Sequence, residues 1–572
     1  MITHRHAHKV YCQLTACHCL ALSIAVLIGG AVVPCVAGAA TYYLDTTGGS
    51  DGNPGTSDAP WQSLAMVQAG AVPGDTVVIL SADVNTYAAP WPTQATYQAR
   101  ALKQFEITWT FDTYYPVGQF ANGDLWVVGP VNLIGFDPPS TAAGDRIING
   151  SMVNPNPGGR QGYDSAMPYN AYDAALNVAC GVSVGTPLTV PPGSSLVSTI
   201  SLPTVDGKTA LQRAAILTVL TAPAQPGDFR PPYCGTDKTV KFNTAMLDPS
   251  LLQSLPPVAA TPSLAEVESY FAAPWIDHGG YWYGDYMHPS SNMPDYGREM
   301  HTEIGIGGLM LHLSFTPAEK ETLLCRYVQL GIDLGGVALD GGNSGWTNDG
   351  GEAGGRKWPI LFAGLMLHDD ALKSVGVRSG DYLYQNGYGP GHGPPDYIHF
   401  GEDDQTFYVA QLDVDATHSS NWNPDSRDGT RTPYEISDIG LPEWGIRHST
   451  DPYQSNKELW TMYRNVAGPP FHATALAALL TPGGQEAWNH NAYFDYSDRY
   501  MTMTAPGGPY AGWWRSMSAF TESMWDTYRA QCGLVRPAVG SSAPCHRPLG
   551  IGRSYRARPW ASVSLPAGPV AW

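Results

Sequence analysis

The apolar period of this 572-residue chain changes once, across residues 222–232 (APAQPGDFRPP), and that change constrains what either side can become. From Phe105 to Leu220 the apolar residues fall in short β-branched runs: ITWTF, LWVVGPVNLIGF, ALNVACGVSV, SLVSTISL and AAILTVL. Gly, Pro and Asn turns part them, so the runs predict strands, and an antiparallel sandwich accommodates them. Beyond Pro232 the period becomes helical. Thr316-Pro317-Ala318-Glu319 sets an N-cap, a proline at the first helical position and a glutamate three residues after the cap. The helix it opens carries Leu323, Leu324, Tyr327, Val328, Leu330 and Leu334 on a broad apolar face. Ser263-Leu264-Ala265-Glu266 is a capping box for a helix running into Tyr270. Further helices are predicted over 301–313, 357–367, 457–465, 471–480, 491–503 and 514–528. Glycine runs (Gly305, Gly307, Gly308; Gly331, Gly335, Gly336) allow helices to approach closely. The expected fold is multidomain α+β: a β-rich, sandwich-like domain over 40–225, a helical domain over 226–531 and an extension over 532–572.

The 63 glycines and 48 prolines predict long ordered loops rather than disorder, because aromatic residues are also plentiful. A net charge of −19 makes nucleic acid and anionic membrane poor partners, so any grip on an anionic ligand needs a local basic pocket. Arg5 and Lys9 precede an apolar run over 20–33 and the small triplet Ala37-Gly38-Ala39, the pattern of a signal peptide over 1–39. That run is short for a membrane span and nothing later is long and apolar enough, so the expected product is secreted, extracellular or periplasmic. Four of the nine cysteines fall in the leader. Cys180, Cys234, Cys325, Cys532 and Cys545 remain, without metal-type spacing. Cys532 and Cys545 flank a Pro/Gly/Ser-rich loop and form the expected disulfide; Cys325, in a helical pattern, is expected as a buried thiol.

Residues 275–301 concentrate the chemistry. Trp275, Tyr281, Trp282, Tyr283, Tyr286 and Tyr296 alternate there with Asp277, His278, Asp285, His288, Asn292, Asp295, Arg298 and His301. Aromatic faces beside hydroxyl, imidazole and carboxyl groups equip a sugar cleft, the rings for stacking and the polar groups for hydroxyls. Such a loop suits a core poorly.

Many helices joined by long polar loops suit an (α/α) toroid, in which paired helices ring a cleft. The string WNHNAYFDYSDRY (488–500) resembles a segment of bacterial (α/α)-toroid proteins related to alginate- and heparin-lyase-like enzymes. That resemblance implies a polysaccharide lyase. A second string of about forty residues, opening YYLDTTGGSDGNPGTSDAPWQSL and ending GDTVVIL, resembles the start of secreted right-handed β-helix proteins, many of them pectate-lyase-like. The short repeat that a β-helix needs does not recur downstream.

A polyuronate lyase must neutralise the carboxylate beside C5, remove the C5 proton and protonate the departing oxygen. Tyr296 or His288 is the expected base or acid, and Asn292, Arg298 and His448 hold the carboxylate. A tyrosine titrates near 10 and needs a neighbouring cation to act as a base at neutral pH, which Arg298 supplies. Pro294 and Gly297 keep Tyr296 in a loop, with a helix starting near Arg298. Expected substrate contacts are Trp282, Tyr283, Tyr286, His301, Arg356, Lys357, Trp444 and Arg447. Arg356 and Lys357 close a glycine-rich loop (341–358) whose N–H groups suit a carboxylate or sulfate. The expected partner is thus an acidic polysaccharide.

Two other classes stay open. An (α/α) glycoside hydrolase would draw two acids from Asp285, Asp295, Glu299, Glu352, Glu402 and Asp404. A non-catalytic carbohydrate-binding surface protein would need none. No cofactor is required by any of these readings. Structural calcium is an option at Glu402, Asp403 and Asp404 or among Asp413, Asp415, Asp425 and Asp428, though their spacing is not that of a calcium loop. No serine-hydrolase, zinc-protease or nucleotide motif stands out.

Overall fold

The computed structural model describes residues 39–82, 90–168, 170–279, 281–343, 345–347, 350–379, 397–420, 433–445 and 462–532, with backbone alone at 206, 281–283, 462 and 463. The expected leader up to residue 38 and everything beyond Cys532, Cys545 included, lie outside them. So do Asp425, Asp428, Arg447 and His448.

The chain divides into two compact units, 1–81 with 92–98, and 82–91 with 99–572. In the smaller, β1 (Thr41–Leu44) pairs in parallel with β2 (Asp75–Ile79), and α1 (Leu64–Gly70) lies between them in sequence. Trp61 stacks on Tyr42 at 4.4 Å and donates its indole N–H to the Asn53 carbonyl, closing the Gly-rich loop between them.

The larger unit holds both the sheet-rich part and the helices, so the change of period at 222–232 falls inside one unit. Its strands are β3 (Ala95–Gln104, whose residues up to 98 fall in the smaller unit), β4 (Ile107–Gln119), β5 (Leu125–Val128), β6 (Val131–Asp137), β7 (Thr141–Ala143), β8 (Arg146–Ile148), β9 (Ser151–Val153), β10 (Leu188–Val190), β11 (Ser194–Asp206) and β12 (Thr209–Leu220). They run in the order β3-β4-β5-β12-β11-β9, with β6 branching from β4 and carrying β10. In place of the expected antiparallel sandwich, these strands, apart from β7 and β8, which pair only with each other, belong to one mixed sheet in which β12 lies parallel to β5. The reason is legible in AAILTVL: Ala214 to Leu220 is buried throughout, as befits a strand covered on both faces.

Thirteen helices have described bounds. They are α1, α2 (Leu264–Tyr270), α3 (Gly297–Leu311), α4 (Pro317–Leu339), α5 (Lys357–Met366), α6 (Asp370–Val377), α7 (Gly401–Gln405), α8 (Gln411–His418), α9 (Met462–Ala467), α10 (Phe471–Leu480), α11 (Gly484–Trp488), α12 (Asn491–Met503) and α13 (Ala519–Tyr528). α4 starts as expected, with Thr316 Oγ1 accepting from Glu319 N–H and Glu319 accepting from Thr316 N–H. α3 packs on α10 and α4 on α5. A Cβ on Gly305 would lie 2.3 Å from Ala473 Cβ, and one on Gly331 would lie 2.1 Å from the Pro359 carbonyl oxygen, so both approaches require glycine. Cys325 is a buried free thiol, as expected. The 514–528 helix is shorter than its pattern, because Ser518 caps it and leaves Trp513 and Trp514 in the preceding loop. The 488–500 string packs inside: Trp488 stacks on Tyr493 at 4.3 Å, and Phe494, Tyr496 and Tyr500 are buried with them.

One ion cluster joins sheet and helices. Arg230, at the change of period, meets Asp124 beside β5 and Asp333 on α4, and all three are buried.

Candidate active site

The stretch 275–301 is more interior than its composition predicts. Trp275, Asp277, His278, Asp285, His288 and His301 are all buried. Asp277 is the hub. Its Oδ2 accepts from Arg356 Nε at 2.8 Å, its Oδ1 faces His288 Nε2 at 3.2 Å, and its N–H donates to Tyr233 Oη at 2.9 Å. Burial opposes its charge, but Arg356 and the His288 hydrogen bond prevail and draw its pKa down to about 2. Arg356 also donates to the Glu352 and Gly354 carbonyls. It therefore ties the glycine-rich loop to the 275–288 segment.

At the edge of this network sits a pair of acids. Asp285, on the 3₁₀ turn Tyr281–Met287, and Glu352, on the glycine-rich loop, both contact Lys208. Lys208 comes from the sheet. It occupies the two-residue turn between β11 and β12, where Asp206 pairs with Thr209 and Gly207 takes a left-handed φ of 56°. Burial disfavours the Lys208 charge, but Glu352 and Asp285 outweigh it and raise its pKa. Burial, the Glu352 charge and the hydrogen bond with Glu352 push Asp285 up to about 9. Burial beside Glu352 thus favours the protonated form of Asp285, while the ion pair with Lys208 works the other way.

Tyr296 stands beside this pair as the N-cap of α3, half-buried, with the helix starting at Gly297 as Pro294 and Gly297 predict. Lys208 Nζ lies 5.4 Å from its ring centroid and the Arg298 guanidinium 5.5 Å. Arg298 also lies 5.7 Å from the ring of Trp514 and pairs with its neighbour Glu299. A Cβ on Gly351 would lie 2.5 Å from the Tyr296 hydroxyl, so the loop needs glycine there.

The remaining expected site residues divide by burial. His288 is enclosed between Asp277 and the Pro294 carbonyl. Asn292 spends its amide on the Ala273 carbonyl at 2.9 Å. His301 is bonded through Nε2 to Thr474, and burial, aided by Arg356, lowers it to about 3. Lys357 pairs with Asp403 and donates to the Trp488 carbonyl. Trp444 is buried, its carbonyl taken by Arg464. These five hold the fold around the site in this structure. Tyr286 is half-buried against the core. Trp282 and Tyr283 lie on the 3₁₀ turn, and His448 and Arg447 lie outside the described residues.

Of the acids offered for calcium, Asp403 is taken by Lys357 and the Trp488 indole, and Asp404 faces His399 at 2.9 Å. Among the described residues no group of three or more His, Cys, Asp or Glu side chains is placed to hold a metal. Glu402 accepts from Gly355 N–H, and burial, then Asp403, raises it to about 7. No described helix is long and apolar enough to cross a membrane.

Sequence reasoning passed over Lys208 and Trp514. The Asp206-Gly207-Lys208-Thr209 turn between two apolar runs is a legible hairpin signal, but nothing in it says where the tip points. Trp514 was hidden in an apparent helix. Comparison of the chain with protein-family models, with curated proteins and with solved structures returned no match in any of the three.

Proposed function

We propose that the protein is a polysaccharide lyase that cleaves a uronic-acid-containing polymer by β-elimination, with Tyr296 at the centre of the chemistry. The observation that carries this reading is the placement of two cations, Lys208 and Arg298, within 5.5 Å of the Tyr296 ring centroid, beside the acids Asp285 and Glu352. Lys208 and Arg298 lower the cost of a phenolate, as a tyrosine base requires. Tyr296 then takes the C5 proton and returns it to the departing glycosidic oxygen. In its protonated form, which burial and Glu352 favour, Asp285 donates to the uronate carboxyl, the role for which Asn292 was the sequence-based choice, and Arg298 adds charge. The glycoside-hydrolase alternative is less well served. Asp285 and Glu352 are both bound to the one Lys208 ammonium, which occupies the space between the two acids that a hydrolase would need for its substrate. The helix pairs α3 with α10 and α4 with α5 favour an (α/α)-toroid arrangement for the helical part, and a secreted location accords with this substrate.

The test is ultraviolet absorbance of unsaturated uronate during incubation with alginate, polygalacturonate, hyaluronan and heparin. One of these should yield it, and Tyr296→Phe should lose about a hundredfold or more of that turnover with the fold intact. Full activity in Tyr296→Phe would remove Tyr296 from the chemistry. New reducing ends without unsaturation would make the enzyme a hydrolase.

A further inference from the structure

Among the described residues, Trp514 is a large aromatic side chain beside this site that is substantially exposed, at 49 %. Its surroundings fix it without covering it. Its N–H donates to Asn465 Oδ1 at 2.9 Å, and its carbonyl accepts from the Tyr500 hydroxyl at 2.8 Å, so α9 and α12 hold the backbone from two sides. Next to it, Trp513 packs against Tyr510 at 4.5 Å, stiffening the loop. The guanidinium of Arg298 lies 5.5 Å from the Tyr296 ring and 5.7 Å from the Trp514 ring, bridging the two. A half-exposed indole on an anchored backbone, one guanidinium away from the reacting tyrosine, is a preorganised platform. An adaptable hydrophobe in a core would be covered, and an indole that served only to cap the loop would not need two backbone anchors.

We infer that Trp514 is a sugar-stacking subsite of the same cleft, receiving the pyranose ring adjacent to the uronate whose carboxylate faces Arg298. This assignment rests on the carbohydrate reading of the site and extends it to an acidic chain of at least two rings. Arg298 serves both rings, its charge for the carboxylate and its guanidinium for contact with the indole. A pyranose face on an indole gains dispersion contact and sheds water from apolar C–H groups. The subsite therefore discriminates by chain length rather than by the charge of the ring it holds.

The experiment uses the Tyr296→Phe protein, so that binding is read without turnover, and titrates it calorimetrically with size-fractionated fragments of the four polymers. Trp514→Ala in that background should weaken binding of tetrasaccharides about tenfold. Monosaccharide uronate should show no difference, and Trp514→Phe should restore most of the affinity. Equal tetrasaccharide affinity with and without the indole would overturn the subsite, as would failure of Trp514→Phe to restore binding. The two readings fail separately. A wild-type protein that binds tetrasaccharide through Trp514 but forms no unsaturated product keeps the subsite and loses the lyase. A protein that forms the product with unchanged binding in Trp514→Ala keeps the lyase and loses the subsite.

Discussion

Replacing Arg230 with Met should cost the protein about 3–5 kcal/mol, most of it from what the arginine leaves behind. Arg230 is 1 % exposed. Its Nε donates to Asp124 Oδ2 at 2.6 Å, and its two terminal nitrogens donate to Asp333 at 2.9 and 2.5 Å. A further bond reaches the Pro231 carbonyl at 3.1 Å. Burial works against the guanidinium, yet the two carboxylates prevail and raise its pKa. For Asp333 burial prevails even with Arg230 in contact, and its pKa is raised. The cluster is therefore held by compensation, and its net worth is small while the cost of breaking it is large. Met fills much of the volume but strands two buried acids. The assay is urea unfolding of wild type, Arg230→Met and the triple variant Arg230→Met/Asp124→Asn/Asp333→Asn. The triple variant should recover most of the loss, because no charge is stranded. The pH dependence has a definite sign. Without Arg230 the folded-state pKa of Asp333 rises further above its unfolded value, so its protonated form favours the folded state. The deficit should be largest near neutral pH and shrink as pH falls toward the unfolded carboxylate value of about 3.9. A loss below about 1 kcal/mol at neutral pH, or a deficit that does not shrink in acid, would refute the reasoning.

Two further outcomes follow from groups already described. Burial holds His301, His312 and His472 down to about 3 and His278 to about 4, so each is neutral when folded. Their contribution to stability is intact above about 6.5 and is lost as pH falls through that value toward the folded pKa. Urea midpoints should therefore drop by several kcal/mol equivalent between pH 7 and pH 4, and a flat profile would mean that the imidazoles are already charged in the native state. Gly351→Ala would set a methyl 2.5 Å from the Tyr296 hydroxyl and 3.0 Å from Ala467 Cβ, so Tyr296 must move. Turnover should fall at least about tenfold with a small change in thermal midpoint, since displacement of a reacting group is felt steeply. Unchanged turnover would place the reacting group elsewhere.

Local rules read well from this sequence wherever the interaction is itself local. The Thr316 cap, the start of α3 after Tyr296 and the bounds of α10 and α12 all depend on residues within about one turn of each other. The reading failed where two distant segments compete for one position. AAILTVL is a strand by its own composition, but only the neighbouring β5 decides that it is a covered, parallel-paired one. The aromatic and acidic wealth of 275–301 was legible, but which of its groups face outward was not. Asp277, His288 and Asn292 are consumed by Arg356, Pro294 and Ala273, partners that periodicity does not name. Lys208 illustrates the limit best. The sequence by itself determined a two-residue turn with Gly207 in it, because glycine adopts that φ without strain. That the turn's lysine meets Asp285 and Glu352, 77 and 144 residues away, was decided by tertiary structure alone. A charge pair across such separation is set by how sheet and helices pack, and no property of either segment encodes it.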